Sequence, residues 1–164
     1  MITDKFKTEI NRRLDEGASR IETCLSLITP EDLWRPPGGE LVSIGNLINH
    51  LCGNISQWVL KTLGGAEYIR KRDREFSETT DESREQLAAK IRATVERARA
   101  VVSHLTGSDL DRTYTVQGYR ETGVGILVHV VEHLSYHVGQ ITFYVKQIKG
   151  VDVGYYSSTD LNQV

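Results

Sequence analysis

Apolar residues recur at steps of three or four along four stretches of the chain, the spacing that lines one face of an α-helix. The first stripe consists of Phe6, Ile10, Leu14, Ile21, Leu25 and Ile28. Similar stripes follow over residues 44–59, 87–105 and 126–145. The pattern therefore predicts four long amphipathic helices.

Capping residues indicate where the first two helices end and begin. Pro30 ends the first helix, and Thr29 with Pro30 is typical of a cap that opens a short helical turn. Ser43 is the predicted N-cap of the second helix, which runs to the glycine pair at 64–65.

The later helices carry similar signals. The third begins at one of two capping boxes, Thr79 with Glu82 or Ser83 with Gln86. The fourth begins near residue 122 and ends at about residue 149, where Gly150 provides a left-handed stop.

Four amphipathic helices predict an all-α four-helix bundle, because each apolar stripe must be covered by another helix. The length of 164 residues suits one domain spanning 1–164. The second and third helices are joined by roughly fifteen residues, enough for a long crossover connection. Residues 114–120 alternate only weakly around Gly118, which fits either a short ribbon or an ordered loop and does not predict a sheet.

Charge and composition exclude several classes of function. The chain has 20 Lys and Arg against 22 Asp and Glu, a net charge of -2, so it has no broad cationic field for nucleic acid or an anionic membrane. It has neither a membrane-spanning apolar run nor a secretory signal, which predicts a cytoplasmic protein. Cys24 and Cys52 are predicted to be buried thiols, and the charged segment 70–75 a solvated linker.

The candidate chemistry lies in five histidines, which are His50, His104, His129, His133 and His137. Three of them recur at i, i+4 steps on the fourth helix and form a ridge on its apolar, inward side. His50 lies at the edge of the second helix's apolar stripe and can face the same interior. His104 lies near the end of the third helix, where a capping or surface role is expected.

Clustered neutral imidazoles favour a divalent transition metal such as Zn²⁺, Ni²⁺ or Fe²⁺, because two histidines at i, i+4 and a third from a facing helix can hold one ion. His50 with His133 and His137 forms such a set. By spacing alone, His129 with His133 is an equally good pair. Asn54 and Gln140 are inward polar residues that either support such a site or make ordinary buried hydrogen bonds.

Two stretches resemble the DinB/YfiT-like proteins. Residues 129–141 (HVVEHLSYHVGQI) resemble that family's last core helix, in which two histidines precede a Gly-Gln pair. Residues 43–51 (SIGNLINHL) resemble its second-helix motif, which ends in histidine. The resemblance implies a four-helix bundle, often dimeric, with a divalent metal held by His50, His133 and His137. It assigns His129 to the pocket wall or to the surroundings of the ligands.

The resemblance also implies a range of activities. Some relatives are thiol S-transferases or isomerases that use bacillithiol, mycothiol or glutathione as cosubstrate. We therefore expect a Zn²⁺- or Ni²⁺-dependent transferase that activates a low-molecular-weight thiol for a small-molecule substrate. The alternatives are a metal-dependent hydrolase and a non-catalytic stress-response protein that binds metal.

The side of the fourth helix opposite the histidines is also apolar. It carries Leu127, Val128, Val131, Ser135, Val138, Thr142 and Val145. Because a helix that is apolar on both sides needs cover on both, this surface predicts a homodimer. The alternative is a monomer that covers the surface with its own crossover or with residues 151–164.

Overall fold

The computed structural model describes residues 2–163, and they form a helical bundle with one small hairpin. The helices are α1 (Ile2–Leu27), α2 (Pro30–Trp34), α3 (Ile44–Ile55), α4 (Arg72–Ser77), α5 (Arg84–His104), α6 (Gly107–Asp111) and α7 (Gly123–Lys149). Residues 56–63 continue α3 as a π-helix. The hairpin pairs β1 (Thr113–Val116) with β2 (Tyr119–Thr122) in antiparallel register. The all-α prediction is confirmed, with α1, α3, α5 and α7 as the four long helices.

The predicted caps lie where local chemistry places them. The side chain of Ser43 accepts a hydrogen bond from the backbone N–H of Asn46 at the start of α3. Of the two candidate boxes before α5, Ser83 with Gln86 is the one that forms. Gly150 ends α7 with a φ of 65°, a left-handed conformation that favours glycine.

Each of α1 and α3 packs mainly against both α5 and α7, so α1 and α3 lie on one diagonal of the bundle. The chain therefore crosses the bundle between α1 and α3 and again between α5 and α7. The long segment 64–83 joins two neighbouring helices instead. Gly17 of α1 allows close approach to α7, since a Cβ there would lie 2.8 Å from Cγ of Leu134.

Residues 113–122 form a short antiparallel ribbon, one of the two alternatives that the sequence left open. The turn of the hairpin places both Gln117 and Gly118 at positive φ, 50° and 83°. Two-residue hairpin turns of this kind favour Asn-Gly, so Gln117 gives a weak sequence signal. Its side chain accepts a hydrogen bond from Trp58 Nε1 at 2.7 Å, which attaches the hairpin to the π-helix.

Both cysteines are free and buried, as predicted. His104 is exposed at the end of α5, as expected for a surface residue. Among residues 2–163, no helix combines the length and the apolar character that crossing a bilayer requires.

The apolar back of α7 is largely covered within one chain. Leu127, Val138 and Val145 are buried, and α1 packs along α7. Val128 is 48% exposed and borders a groove of about 460 Å³ between α1 and α7. The back of α7 therefore does not by itself require a second chain, and the homodimer stays a prediction. Light scattering at micromolar concentration tests it, with the exposed Val128→Asp as the variant that should dissociate a dimer formed there.

Candidate metal centre

Three histidine side chains from two helices converge on one point inside the bundle. Nε2 of His133 lies 3.1 Å from Nε2 of His50 and 3.2 Å from Nε2 of His137. One ligand atom from each of the three lies within 4.8 Å of the others. Tetrahedral coordination with Zn–N bonds of about 2.0 Å places ligand nitrogens about 3.3 Å apart, so the observed spacing suits one small ion.

The helices present these side chains through simple geometry. His133 and His137 are one turn apart on α7 and therefore share a face. His50 lies in the middle of α3, which packs directly against α7. His50 is 5% exposed and the ring of Phe76 from α4 packs on it, with ring centroids 4.6 Å apart.

The outer nitrogens of two of these rings face acceptor oxygens. His50 Nδ1 lies 2.9 Å from Oε2 of Glu75, and His137 Nδ1 lies 2.7 Å from Oε1 of Gln140. A ring nitrogen that faces an acceptor oxygen carries the proton, which leaves the other nitrogen with a free lone pair. Lone pairs at Nε2 of His50 and His137 therefore both point at Nε2 of His133.

One proton on His133 Nε2 can satisfy only one of these two lone pairs. Buried polar groups are normally paired, and a cation at the point of convergence would satisfy all three Nε2 atoms. The residues present thus fit a divalent metal.

The electrostatics favour the neutral form of His133 and His137, as metal binding requires. Burial, together with the neighbouring His137, His50 and His129, lowers the pKa of His133 to about 3. Burial also lowers the pKa of His137, although the hydrogen bond to Gln140 opposes this shift. Neutral imidazoles at pH 7 need lose no proton before they bind an ion.

We expect the metal-free protein to lose stability as the pH falls from 7 to 5. His133 has a pKa of about 3 when folded, against 6.5 as the ordinary value. Below pH 6.5 the unfolded chain binds a proton that the folded chain rejects, so the free energy of unfolding declines until the pH reaches the folded pKa. With an allowance for solvent screening, the loss at pH 5 is about 1 kcal/mol.

Urea denaturation of metal-free wild type at pH 7 and pH 5 measures this loss. His133→Gln should remove most of the decrease in the free energy of unfolding between pH 7 and pH 5. His104 is exposed, so His104→Gln should leave this decrease unchanged. An equal pH dependence in wild type and His133→Gln would contradict the prediction.

His129 lies beside the cluster and is outside it. Its ring stacks on Trp58 with centroids 3.9 Å apart, and its Nε2 lies 3.4 Å from Nδ2 of Asn54. Burial lowers the pKa of His129, although Glu132 and Glu121 oppose the shift. Asn54 is 3% exposed, and its side-chain amide pairs with His129 instead of one of the three clustered rings. Gln140 by contrast contacts His137 directly.

The prediction of a solvated linker over residues 70–75 holds for residues 71–74, which are exposed, and is wrong for Arg70 and Glu75. Residues 72–77 form α4, and the side chains of Arg70 and Glu75 are only 4% and 10% exposed. Arg70 donates from Nε and Nη2 to the two carboxylate oxygens of Glu75, each at 2.7 Å. Burial raises the pKa of Glu75, but hydrogen bonds from Arg70 and His50 outweigh it and hold the pKa below its ordinary value.

A cavity of about 700 Å³ opens beside the histidines. It is lined by residues of α3, the π-helix, the hairpin and α7, which include His50, Trp58, Tyr119, His129 and His133. Arg70 and Arg72 line it together with Glu121 and Glu132. A volume of this order is typical of small-molecule sites.

The fold is that of a DinB-like helical bundle. Three solved structures share the fold. A DinB-like protein of Bacillus subtilis matches with a TM-score of 0.69 and 18% identity, over 90% of this chain and 97% of that one. A DinB-like protein of Bacillus cereus matches with a TM-score of 0.68 and 19% identity, over 88% of this chain and 93% of that one. A conserved protein of Enterococcus faecalis matches with a TM-score of 0.70 and 15% identity, over 88% of this chain and 97% of that one.

The chain belongs to the family described as "Protein of unknown function (DUF1572)", whose model matches residues 2–159. Among curated proteins, none matches the chain significantly by sequence. The resemblance to DinB/YfiT-like proteins, noted from two motifs, is thus confirmed by the structural likeness.

Proposed function

We propose that the protein binds one divalent transition metal, Zn²⁺ or Ni²⁺, through His50, His133 and His137, and uses it to activate a low-molecular-weight thiol. The observation that carries the metal-binding role is the convergence of three Nε2 atoms, two of them on rings whose Nδ1 atoms face acceptor oxygens. His129 lines the cavity beside this centre.

The centre has room for a reacting ligand. Within residues 2–163, no fourth His, Cys, Asp or Glu belongs to the cluster. Structural zinc sites are closed by four protein ligands, whereas catalytic sites keep one position open. This difference supports an enzyme over a protein whose metal is purely structural. A divalent metal held by three neutral imidazoles keeps its full charge and lowers the pKa of a thiol or water to near neutrality.

The side chains around the cavity would then orient the second substrate. The guanidinium of Arg72 and the carboxylates of Glu121 and Glu132 line the same cavity as His133. In the proposed reaction the thiol sulfur forms a bond to an electrophilic carbon, the leaving group departs with its bonding electron pair, and the thiol proton passes to solvent. We also propose a cytoplasmic location, which suits the two free cysteines.

A thiol panel tests this function. Zinc- or nickel-loaded protein is mixed with 1-chloro-2,4-dinitrobenzene and, in turn, with cysteine, glutathione, bacillithiol and mycothiol. Conjugate formation should exceed that of the metal-free protein by about 100-fold for at least one thiol, within the range expected of an activated nucleophile. Loaded His129→Ala should remain active if the ring only lines the pocket.

The alternatives predict different results. Hydrolysis of p-nitrophenyl acetate without any thiol effect would favour a metal-dependent hydrolase. Stoichiometric metal with neither activity would favour a non-catalytic metal-binding protein. A protein that binds no metal would exclude all three.

A further inference from the structure

We propose that Glu75 is a positioning residue for the metal centre. Its carboxylate accepts the Nδ1 proton of His50 and thereby directs the Nε2 lone pair of His50 toward His133 and His137. The inference deepens the proposed function and rests on it for the metal, but the contact between Glu75 and His50 can be tested without any metal.

Two groups compete for Nδ1 of His50, and distance and charge decide between them. Oε2 of Glu75 lies 2.9 Å from this nitrogen, and Nη2 of Arg70 lies 3.2 Å from it. If Arg70 donated to Nδ1, the nitrogen lone pair would face an anionic oxygen at 2.9 Å, which is repulsive. Arg70 Nη2 also donates to Glu75 Oε2 at 2.7 Å and to the carbonyl of His50 at 3.3 Å. The proton therefore lies on Nδ1, with Glu75 as its acceptor.

Arg70 holds the carboxylate in place. Its guanidinium pairs with both oxygens of Glu75, a two-point contact that fixes the plane of the carboxylate. Arg70 Nη1 donates in turn to Oε1 of Gln57 on the π-helix, at 3.2 Å. The orientation of His50 thus depends on a buried chain of contacts that begins at the π-helix.

One face of α3 is shaped to receive α4. Asn46, His50 and Gly53 are separated by four and three residues and lie on the same side of the helix. The side-chain amide of Asn46 donates to the carbonyls of Glu75 at 3.0 Å and Glu78 at 2.8 Å, which anchors the backbone of α4. At Gly53, a Cβ would collide with Oε1 of Glu75 and lie 3.1 Å from Nε of Arg70. Glycine therefore leaves the space that the carboxylate occupies.

The first experiment measures the tautomer of His50 directly in the metal-free protein. Long-range ¹⁵N–¹H correlation spectra of the histidine-labelled protein show which ring nitrogen carries the proton. Wild type should show the proton on Nδ1. Glu75→Ala should shift the population toward Nε2–H, because it removes the acceptor, whereas Glu75→Gln keeps an acceptor oxygen and should retain the wild-type tautomer.

Matched variants separate this role from general damage to the fold. Glu78 is the C-cap residue of α4, and its carboxylate pairs with Arg74 instead of His50, so the spectrum of Glu78→Ala should match wild type. Gly53→Ala keeps the Glu75 side chain but removes its space and should reproduce the shift of Glu75→Ala. It also provides the test if Glu75→Ala fails to fold. An unchanged Nδ1–H tautomer in either variant would overturn the inference.

The second readout is zinc affinity by chelator competition. Loss of a hydrogen-bond partner of a ligating histidine typically weakens metal binding by about 10- to 100-fold, and we expect this for Glu75→Ala and no change for Glu78→Ala. Equal affinity in wild type and Glu75→Ala would overturn the positioning role while leaving metal binding in place. If wild type binds no zinc but the tautomer shifts as expected, the proposed function fails and the contact between Glu75 and His50 stands.

Discussion

Wild-type protein is expected to bind about one Zn²⁺ or Ni²⁺ per chain. His133→Ala is expected to lose it, because the Nε2 atom of His133 lies 3.1 Å and 3.2 Å from those of the other two rings. Loss of this ligand should weaken binding by more than about 100-fold, since loss of a mere hydrogen-bond partner of a ligand costs about 10- to 100-fold. Elemental analysis after dialysis, with chelator competition for the affinity, measures both quantities.

His129→Ala is the matched control. His129 lies one turn before His133 on the same helix and has equivalent spacing in the sequence, but its ring stacks on Trp58 and is outside the cluster. It should retain metal within a few-fold of wild type, since only a neighbour of the ligands is lost. Metal loss in His129→Ala with retention in His137→Ala would show that the ligand set is wrong.

Arg70→Met is expected to lower the free energy of unfolding of the metal-free protein by about 3 kcal/mol. The substitution preserves much of the side-chain volume but leaves the carboxylate of Glu75 without its main partner, and the two side chains are only 4% and 10% exposed. An uncompensated buried charge is among the most destabilising changes in a folded protein. Urea denaturation of metal-free samples measures the effect without a contribution from metal binding.

The neighbouring ion pair provides the control. Arg74 and Glu78 lie in the same segment, but their side chains are 57% and 43% exposed. Arg74→Met should therefore cost less than about 1 kcal/mol. The double variant Arg70→Met/Glu75→Leu should recover much of the stability lost in Arg70→Met, because it removes the unpaired charge. Equal losses from Arg70→Met and Arg74→Met would contradict the burial of the first pair.

Most helix boundaries were predictable because capping is a local interaction. Ser43 and Ser83 satisfy backbone N–H groups three residues ahead, and Gly150 adopts its left-handed conformation at the end of its own helix. Each effect depends on residues within one turn, so it can be inferred without knowledge of the fold. The hairpin was less predictable, because the turn residue Gln117 is held by a contact with Trp58, 59 residues away in the sequence.

The candidate site was likewise predictable only in part from local sequence. Helical spacing placed three histidines on one inward ridge of α7, and this followed from 3.6 residues per turn alone. His129 and His137 each lie four residues from His133, so their spacing makes them equivalent as candidate metal ligands. Only the resemblance to a known family distinguished them. In the structure the difference has a physical cause, since Trp58 stacks on His129 while His50 reaches His133 from α3.

The sequence by itself determined four amphipathic helices, their ends and the face that carries the histidines, because all of these depend on contacts within a few residues. Only the tertiary structure decided which histidines meet and that Arg70 and Glu75 are buried behind His50. The charges of residues 70–75 resemble a solvated linker, and nothing local distinguishes them from one. Arg70 and Glu75 are buried because Asn46 and Gly53 of α3 bind and accommodate α4, an arrangement that exists only when segments distant in the sequence pack together.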